Sequence, residues 1–221
     1  NPLIGIGKIR LDQPIQVGFV EIHDSANLSD SNLQKIDHYL YVRGFRKTYI
    51  IDVADPANPK VIGVPLDISG GMSFLVNYLY VGGHPFSIFD VSNPATPSLV
   101  GSLDLNISAQ NLAIEGGYAY LATLIGLRVI DISDPISPKI VWKSNGAASN
   151  SIIKNGSTIY SVLEDYGSYS FEVIDVTNPS KPLFNSYYGT DWDVYRTISS
   201  ADGLLFLGGI LVGIDILSVQ G

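Results

Sequence analysis

The chain contains no cysteine. That excludes disulfides, thiolate metal sites and cysteine nucleophiles together. It does not fix the compartment, because a large β domain can be exported without disulfides. Charge is also scarce. Only 15% of the 221 residues are charged, and 21 acids against 13 bases leave a net charge of −8. Phosphate backbones demand clustered Lys and Arg, so this balance argues against nucleic acid as a partner. It equally disfavours an anionic membrane surface. The three histidines, His23, His38 and His84, stand apart with no H-x-x-x-H pair, which argues against zinc. There is no Gly-rich phosphate loop, no G-x-S-x-G elbow and no amphipathic helical stretch of useful length. No cofactor is implied. Charge runs and low-complexity tracts are absent too, so long disorder is not expected.

The longest apolar run, GLLFLGGILVGIDILSV at 203–219, is slightly short for a membrane span, rich in glycine and interrupted by Asp215. Membrane insertion is not expected. The sequence begins at Asn1 with no visible signal peptide, which reads as a processed or trimmed form. Three N-x-S/T sequons, at Asn27, Asn106 and Asn155, are glycosylation acceptors if the protein is exported.

What is present is a repeat. IDVADPANPKVIG at 51–63 returns as FDVSNPATPSLVG at 89–101, IDISDPISPKIVW at 130–142 and IDVTNPSKPLFNS at 174–186. A fifth copy, IDILSVQG, begins at Ile214. The anchor aspartates are Asp52, Asp90, Asp131, Asp175 and Asp215, spaced 38, 41, 44 and 40 apart. Upstream of each lies an aromatic or apolar run: YLYV at 39–42, YLYV at 78–81, YAYL at 118–121, TIYS at 158–161 and LLFL at 204–207. A further short run precedes that one, and a V/I-G strand follows the proline loop. Four short strands in about forty residues predict the blade of a β-propeller. Five blades are expected, at about 32–67, 73–105, 111–143, 151–187 and 196–217. A tandem β-sandwich is the alternative all-β fold, but it does not explain so regular a repeat.

This pattern of an aromatic strand, a strand ending I-D-V/I, an S/A/T-D/N-P-x-x-P loop and a V/I-G strand resembles the LVIVD-repeat β-propellers. The resemblance spans most of the chain. It implies a propeller fold and an extracellular or cell-surface location, as in bacterial and archaeal surface or exported proteins, and it brings no catalytic residues with it.

The last repeat lacks its proline loop and fourth strand. NPLIGIGKIRLD at 1–12 matches NPKVIGVPLD at 58–67 with two extra residues. An unclosed ring leaves an exposed strand edge, so a strand around Leu3–Ile9 is expected to complete the fifth blade and make residues 1–221 one domain. Residues 13–31 read as an insertion.

Two readings compete for the aspartates. Either each carboxylate accepts backbone N–H groups of its own turn, or it serves as a calcium ligand or acid catalyst. The turn is favoured, because a catalytic centre needs unlike groups converging on one point. The prolines stiffen the same loop. Function is instead expected where the copies differ, on the face bearing the loops between second and third strands and between blades. Those loops hold Arg43, Phe45, Arg46 and Lys47, then His84, then Glu164, Asp165 and Tyr166. The connections between blades add Asp104, Asp191, Trp192 and Asp193, with Glu21 and His23 in the 13–31 stretch. Trp192 between two acids suits sugar stacking or a protein anchor; the plainer reading is packing over the ring. The basic cluster RGFRK at 43–47 suits an anion or a contact with another copy. Asp24, Asn27 and Asp30 are oxygen donors of the calcium type, but their spacing is not an EF-hand, and a polar loop is the better reading.

Two functions follow. The first is a non-enzymatic module that binds a protein partner, a glycan or its own copies. The second is a glycoside hydrolase using Glu21, Glu115, Glu164, Asp191 and Asp193. It is disfavoured because the innermost strands NLQKI, SFLV, NLAI, SIIK and RTIS carry no acid.

Overall fold

A computed structural model describes residues 16–22, 33–44, 46–144, 146–165, 168–189, 195–209 and 213–218. Among these residues the secondary structure is all β, without a helix. Runs of β-branched and aromatic residues form the strands, and Asn, Asp, Gly and Pro punctuate them. Sheet one holds β1 (Leu33–Ile36), β2 (Tyr39–Arg43), β3 (Thr48–Asp52) and β4 (Lys60–Leu66). Sheet two holds β5 (Met72–Leu75), β6 (Tyr78–Val81), β7 (Phe86–Asp90) and β8 (Ser98–Leu103). Sheet three holds β9 (Ala109–Glu115), β10 (Tyr118–Thr123), β11 (Gly126–Asp131) and β12 (Lys139–Lys143). Sheet four holds β13 (Ala148–Asn155), β14 (Thr158–Asp165), β15 (Ser168–Asp175) and β16 (Leu183–Gly189). Sheet five has three strands, β17 (Tyr195–Ala201), β18 (Leu204–Gly209) and β19 (Gly213–Ser218). Each sheet is an antiparallel meander in chain order.

The sheets pack face to face in succession. Tyr41 and Ile50 of sheet one meet Leu79, Val81 and Val91 of the second repeat. Tyr80, Phe86 and Ile88 meet Leu112, Leu121 and Ile130. Val129 meets Ile152 and Ile174, and Val162 and Phe171 meet Ile198 and Leu207. The first strands β5, β9, β13 and β17 contact one another in turn, which is the propeller-like arrangement. Alternation in each strand makes this possible, because successive side chains face opposite neighbours. Phe86, Ile88, Leu121 and Ile130 are wholly enclosed, and each such burial stabilises by about 1.5–3 kcal/mol. A repeated tyrosine sits under a different cover in each gap. Phe74 lies edge-on to Tyr41 at 4.6 Å, whereas the Lys154 ammonium lies 5.4 Å from the Tyr120 ring centre.

Four of the anchor turns share one hydrogen-bond pattern. Asp52 accepts the Ala54 amide at 2.9 Å, Asp90 that of Ser92 at 2.8 Å, Asp131 that of Ser133 at 2.9 Å and Asp175 that of Thr177 at 2.7 Å. Three residues after each anchor, Asp55, Asn93, Asp134 and Asn178 repeat the device on the amides of Ala57, Ala95, Ile136 and Ser180. These bonds hold the Asp55, Asp90, Asp131 and Asp175 carboxyls below the usual range, with contacts to Asn58, Ser92, Ser133 and Thr177 as the leading causes.

The fifth copy departs from this. Tyr118 stands opposite Asp131 in sheet three, but its counterpart Leu204 stands opposite Ser218, not Asp215. The register is three residues along, so Asp215 sits within β19 opposite Leu207 instead of at the strand's exit. Its expected role as a fifth turn anchor is therefore corrected. The physical reason is that no proline loop follows Asp215 to hold it at a turn, and an odd register shift exchanges the faces of a strand. Leu217 consequently packs inward, while Ile214 and Ile216 are 68% and 57% exposed.

The expected closing strand, Leu3–Ile9, lies outside the described residues. Part of the expected 13–31 insertion does not. Val20 and Ile22 pack on Val42, Tyr49 and Ile51, the face of sheet one that no other sheet covers among the described residues.

Candidate functional site

One rim of the sheets carries the loops between second and third strands and the connections that enter each first strand. The other rim carries the first hairpin turns and the four proline loops. The second rim repeats itself; the first does not.

On the irregular rim, backbone hydrogen bonds fasten the loops to one another. The Gly71 amide donates to Ala109, the Gly82 amide to Gly71 and the Ala109 amide to Gly82, at 2.9, 2.8 and 2.6 Å. No room remains there for side chains on the glycines: a Cβ on Gly71 would lie 2.8 Å from Cα of Asn111. The Ser69 hydroxyl donates to Gly44 at 2.6 Å. On this scaffold Arg43, at the end of β2, reaches past sheet two to the Gln110 carbonyl at 3.4 Å. Arg46 and Lys47 follow in the same loop, and both are exposed.

His84 pairs through Nδ1 with Asp104 at 3.1 Å, tying the loop of sheet two to the connection that follows it. Both side chains are more than half exposed, and the ion pair exists only when the imidazole is protonated. Glu164 accepts a bond from the Asn150 amide at 2.9 Å. Beneath it the hydroxyls of Ser149 and Ser161, both buried, lie 2.8 Å apart. Asp165 closes β14 on the same rim. Thus Arg43, Arg46, His84, Asp104 and Glu164 share a rim, where the contacts of Arg43 and of His84 with Asp104 link separate stretches of the chain.

Phe45, Tyr166, Asp191, Trp192 and Asp193 lie outside the described residues. So do His23, Asp24, Asn27 and Asp30. Asn106 and Asn155 are exposed, Asn106 with a left-handed backbone (φ 54°) and Asn155 at the first hairpin turn of sheet four. Glu115 is at the rim opposite Glu164, paired with Lys154 at 3.0 Å. The proposed hydrolase carboxylates are in this respect not brought together. Among the described residues no group of three or more His, Asp or Glu side chains could hold a metal ion.

Two charged groups, Arg128 buried and Glu172 half-buried, were not singled out from the sequence. The Arg128 guanidinium donates to the carbonyls of Leu127 at 2.8 Å and Ser144 at 2.6 Å, and burial lowers its pKa. Glu172 lines a cavity of about 90 Å³ with Leu127, Ser144, Leu163 and Phe184, and burial pushes its carboxyl up. A signal did exist. The position three before the anchor reads Tyr49, Ser87, Arg128 and Glu172, and it faces a neighbouring sheet. A charge there is buried by the repeat itself, however exposed its chemistry suggests it should be.

The fold has solved counterparts at low sequence identity. The computationally designed Ika8 protein matches over 85% of this chain with 12% identity and a TM-score of 0.63. Hydrazine synthase of Kuenenia stuttgartiensis matches over 83% with 13% identity and a TM-score of 0.63. The computationally designed Ika4 protein matches over 69% of this chain and 91% of its own, at 12% identity and a TM-score of 0.53. The chain spans 57% and 60% of the lengths of the first two. At such identities the likeness carries the fold alone. No curated protein matches the chain. The family model of the LVIVD repeat matches residues 72–105, 108–145 and 167–190, so the chain carries LVIVD repeats.

Proposed function

We propose that this propeller module is a non-enzymatic binding or assembly unit, exported or displayed at a cell surface, with its partner site on the irregular rim. The partner is a protein, a glycan or another copy of the chain. We further propose that its five sheets form a closed ring, completed from the N-terminal region. The observation that carries the functional reading is the segregation of the two rims. Four near-identical loops occupy one, while the charged and polar side chains that break the repeat gather on the other, where Arg43 and His84–Asp104 link separate stretches of the chain and Asn150 holds Glu164 across adjacent strands. A rigid scaffold presenting variable loops is the usual basis of recognition. The low overall charge and the exposed sequon residues Asn106 and Asn155 favour export.

The test is a glycan array together with light-scattering mass for the intact protein, R43A/R46A, E164Q and, on the opposite rim, D131A. Binding or self-association weakened by the first two variants and retained by the third supports the reading. Binding indifferent to the irregular rim, or hydrolysis of a glycoside by the wild type, overturns it.

A further inference from the structure

The outer edge of β19 is the only one in the five sheets without a fourth strand among the described residues, and its partner can be named. Residues 16–22, QVGFVEI, lie beside sheet one without a ladder pairing of their own. Three observations give them the character of a fourth strand.

The first is a close approach. In sheet one, a Cβ on Gly63 of β4 would lie 2.4 Å from the Ala95 carbonyl oxygen, in the proline loop of the next repeat. In sheet two, a Cβ on Gly101 of β8 would lie 2.1 Å from the Pro135 oxygen, again in the next proline loop. A Cβ on Gly18 would lie 2.0 Å from the Pro56 oxygen, in the proline loop of sheet one. Gly18 thus stands against sheet one as a fourth-strand glycine stands against its following sheet.

The second is the packing. Leu103 and Leu105, two and four residues after Gly101, pack in the gap between sheets two and three. Val20 and Ile22, two and four after Gly18, pack on the corresponding face of sheet one. The third is the sequence. QVGFVEI at 16–22 aligns with LVGSLDL at 99–105, and Pro14 precedes Gly18 by the four residues that separate Pro97 from Gly101 and Pro59 from Gly63.

We infer that residues 16–22 are the fourth strand of sheet five, supplied in cis to the free edge of β19. The inference rests on the closed-ring reading and specifies its joint. In sheet two, Leu99 stands opposite Phe89. By strand register their counterparts are Gln16, which is exposed, and Leu217, which is half-buried and stands opposite Leu205 as Phe89 stands opposite Leu79.

The chain has no cysteine, so engineered pairs report cleanly. Under mild oxidation Q16C/L217C should form an intramolecular disulfide, seen as a faster monomer band without reductant and a loss of two hydrogens in the intact mass. Cysteines in paired strands meet the distance a disulfide requires. I4C/L217C should stay reduced. If only I4C/L217C closes, the inference falls while the ring stands. If neither pair closes, the ring reading falls with it. A disulfide-linked dimer of Q16C/L217C would mean that the strand is exchanged between copies, and would overturn closure in cis.

Discussion

Sheets three and five begin from closely similar sequences and end differently. YAYL and IDIS in sheet three correspond to LLFL and IDIL in sheet five. In sheet three Asp131 leaves the strand, turns on the Ser133 amide and leads through a proline loop into β12. Ile130, just before the anchor, is wholly buried. In sheet five no such loop follows. Leu204 pairs with Ser218, and Ile214, at the place of Ile130, is 68% exposed. The difference teaches that the aspartate–proline loop does more than decorate a turn. It sets the register of the third strand, and through register it decides which side chains reach the core.

The largest effect should come from the matched isoleucines. Ile130→Ala should destabilise by about 2–5 kcal/mol, a buried branched side chain replaced by a cavity. Ile214→Ala should stay within about 0.5 kcal/mol, as surface changes do. Denaturant unfolding compares them; equal losses would mean that sheet five adopts the register of sheet three and the contrast is gone.

Next come the glycines. Gly101→Ala should destabilise by about 1–3 kcal/mol, because its methyl group meets a backbone oxygen that cannot easily retreat. Gly18→Ala should fall in the same range. A neutral Gly18→Ala would detach residues 16–22 from the fourth-strand position.

A smaller effect is expected at the anchor. Asp131 lies in an exposed loop, so its turn bonds compete with water. Asp131→Ala should lower Tm by roughly 2–4 °C, the scale of one net hydrogen bond in a domain of this size. A larger fall would show that register depends on this side chain more than on the prolines.

The smallest effects concern pH, and here two regions oppose each other. Asp55, Asp90, Asp131 and Asp175 have lowered folded pKa values. Their stabilisation is present above the ordinary aspartate value of 3.8 and is lost as pH falls through the folded values. Glu172 has a raised value, for which burial is responsible. Its charged form is disfavoured in the fold, so stability declines as pH rises from the ordinary value of 4.5 through the folded one. Glu172→Gln should therefore raise Tm slightly at neutral pH and leave it unchanged in acid. A lower Tm at neutral pH would mean that the carboxylate is paired in the cavity and not merely enclosed.

Much of the fold was legible in the sequence. The period near forty, the aromatic second strands and the aspartate–proline loops mark the sheets and their order. The irregular rim was legible as well, since Arg43, His84 and Glu164 are where the copies disagree. What the copies share could not reveal burial at a position that changes chemistry from one repeat to the next, which is why Arg128 and Glu172 were missed. Nor could the short match of residues 1–12 to the proline-loop segment reveal that residues 16–22 lie against sheet one.

By itself the sequence determined the repeated turns and hairpins, because their bonds run between residues two to four apart and need no distant partner. Only the tertiary structure decided the register of β19, the reach of Arg43 to Gln110 and the seat of Gly18 on Pro56. Those depend on which surfaces meet when the sheets pack side by side, and no local pattern carries that information.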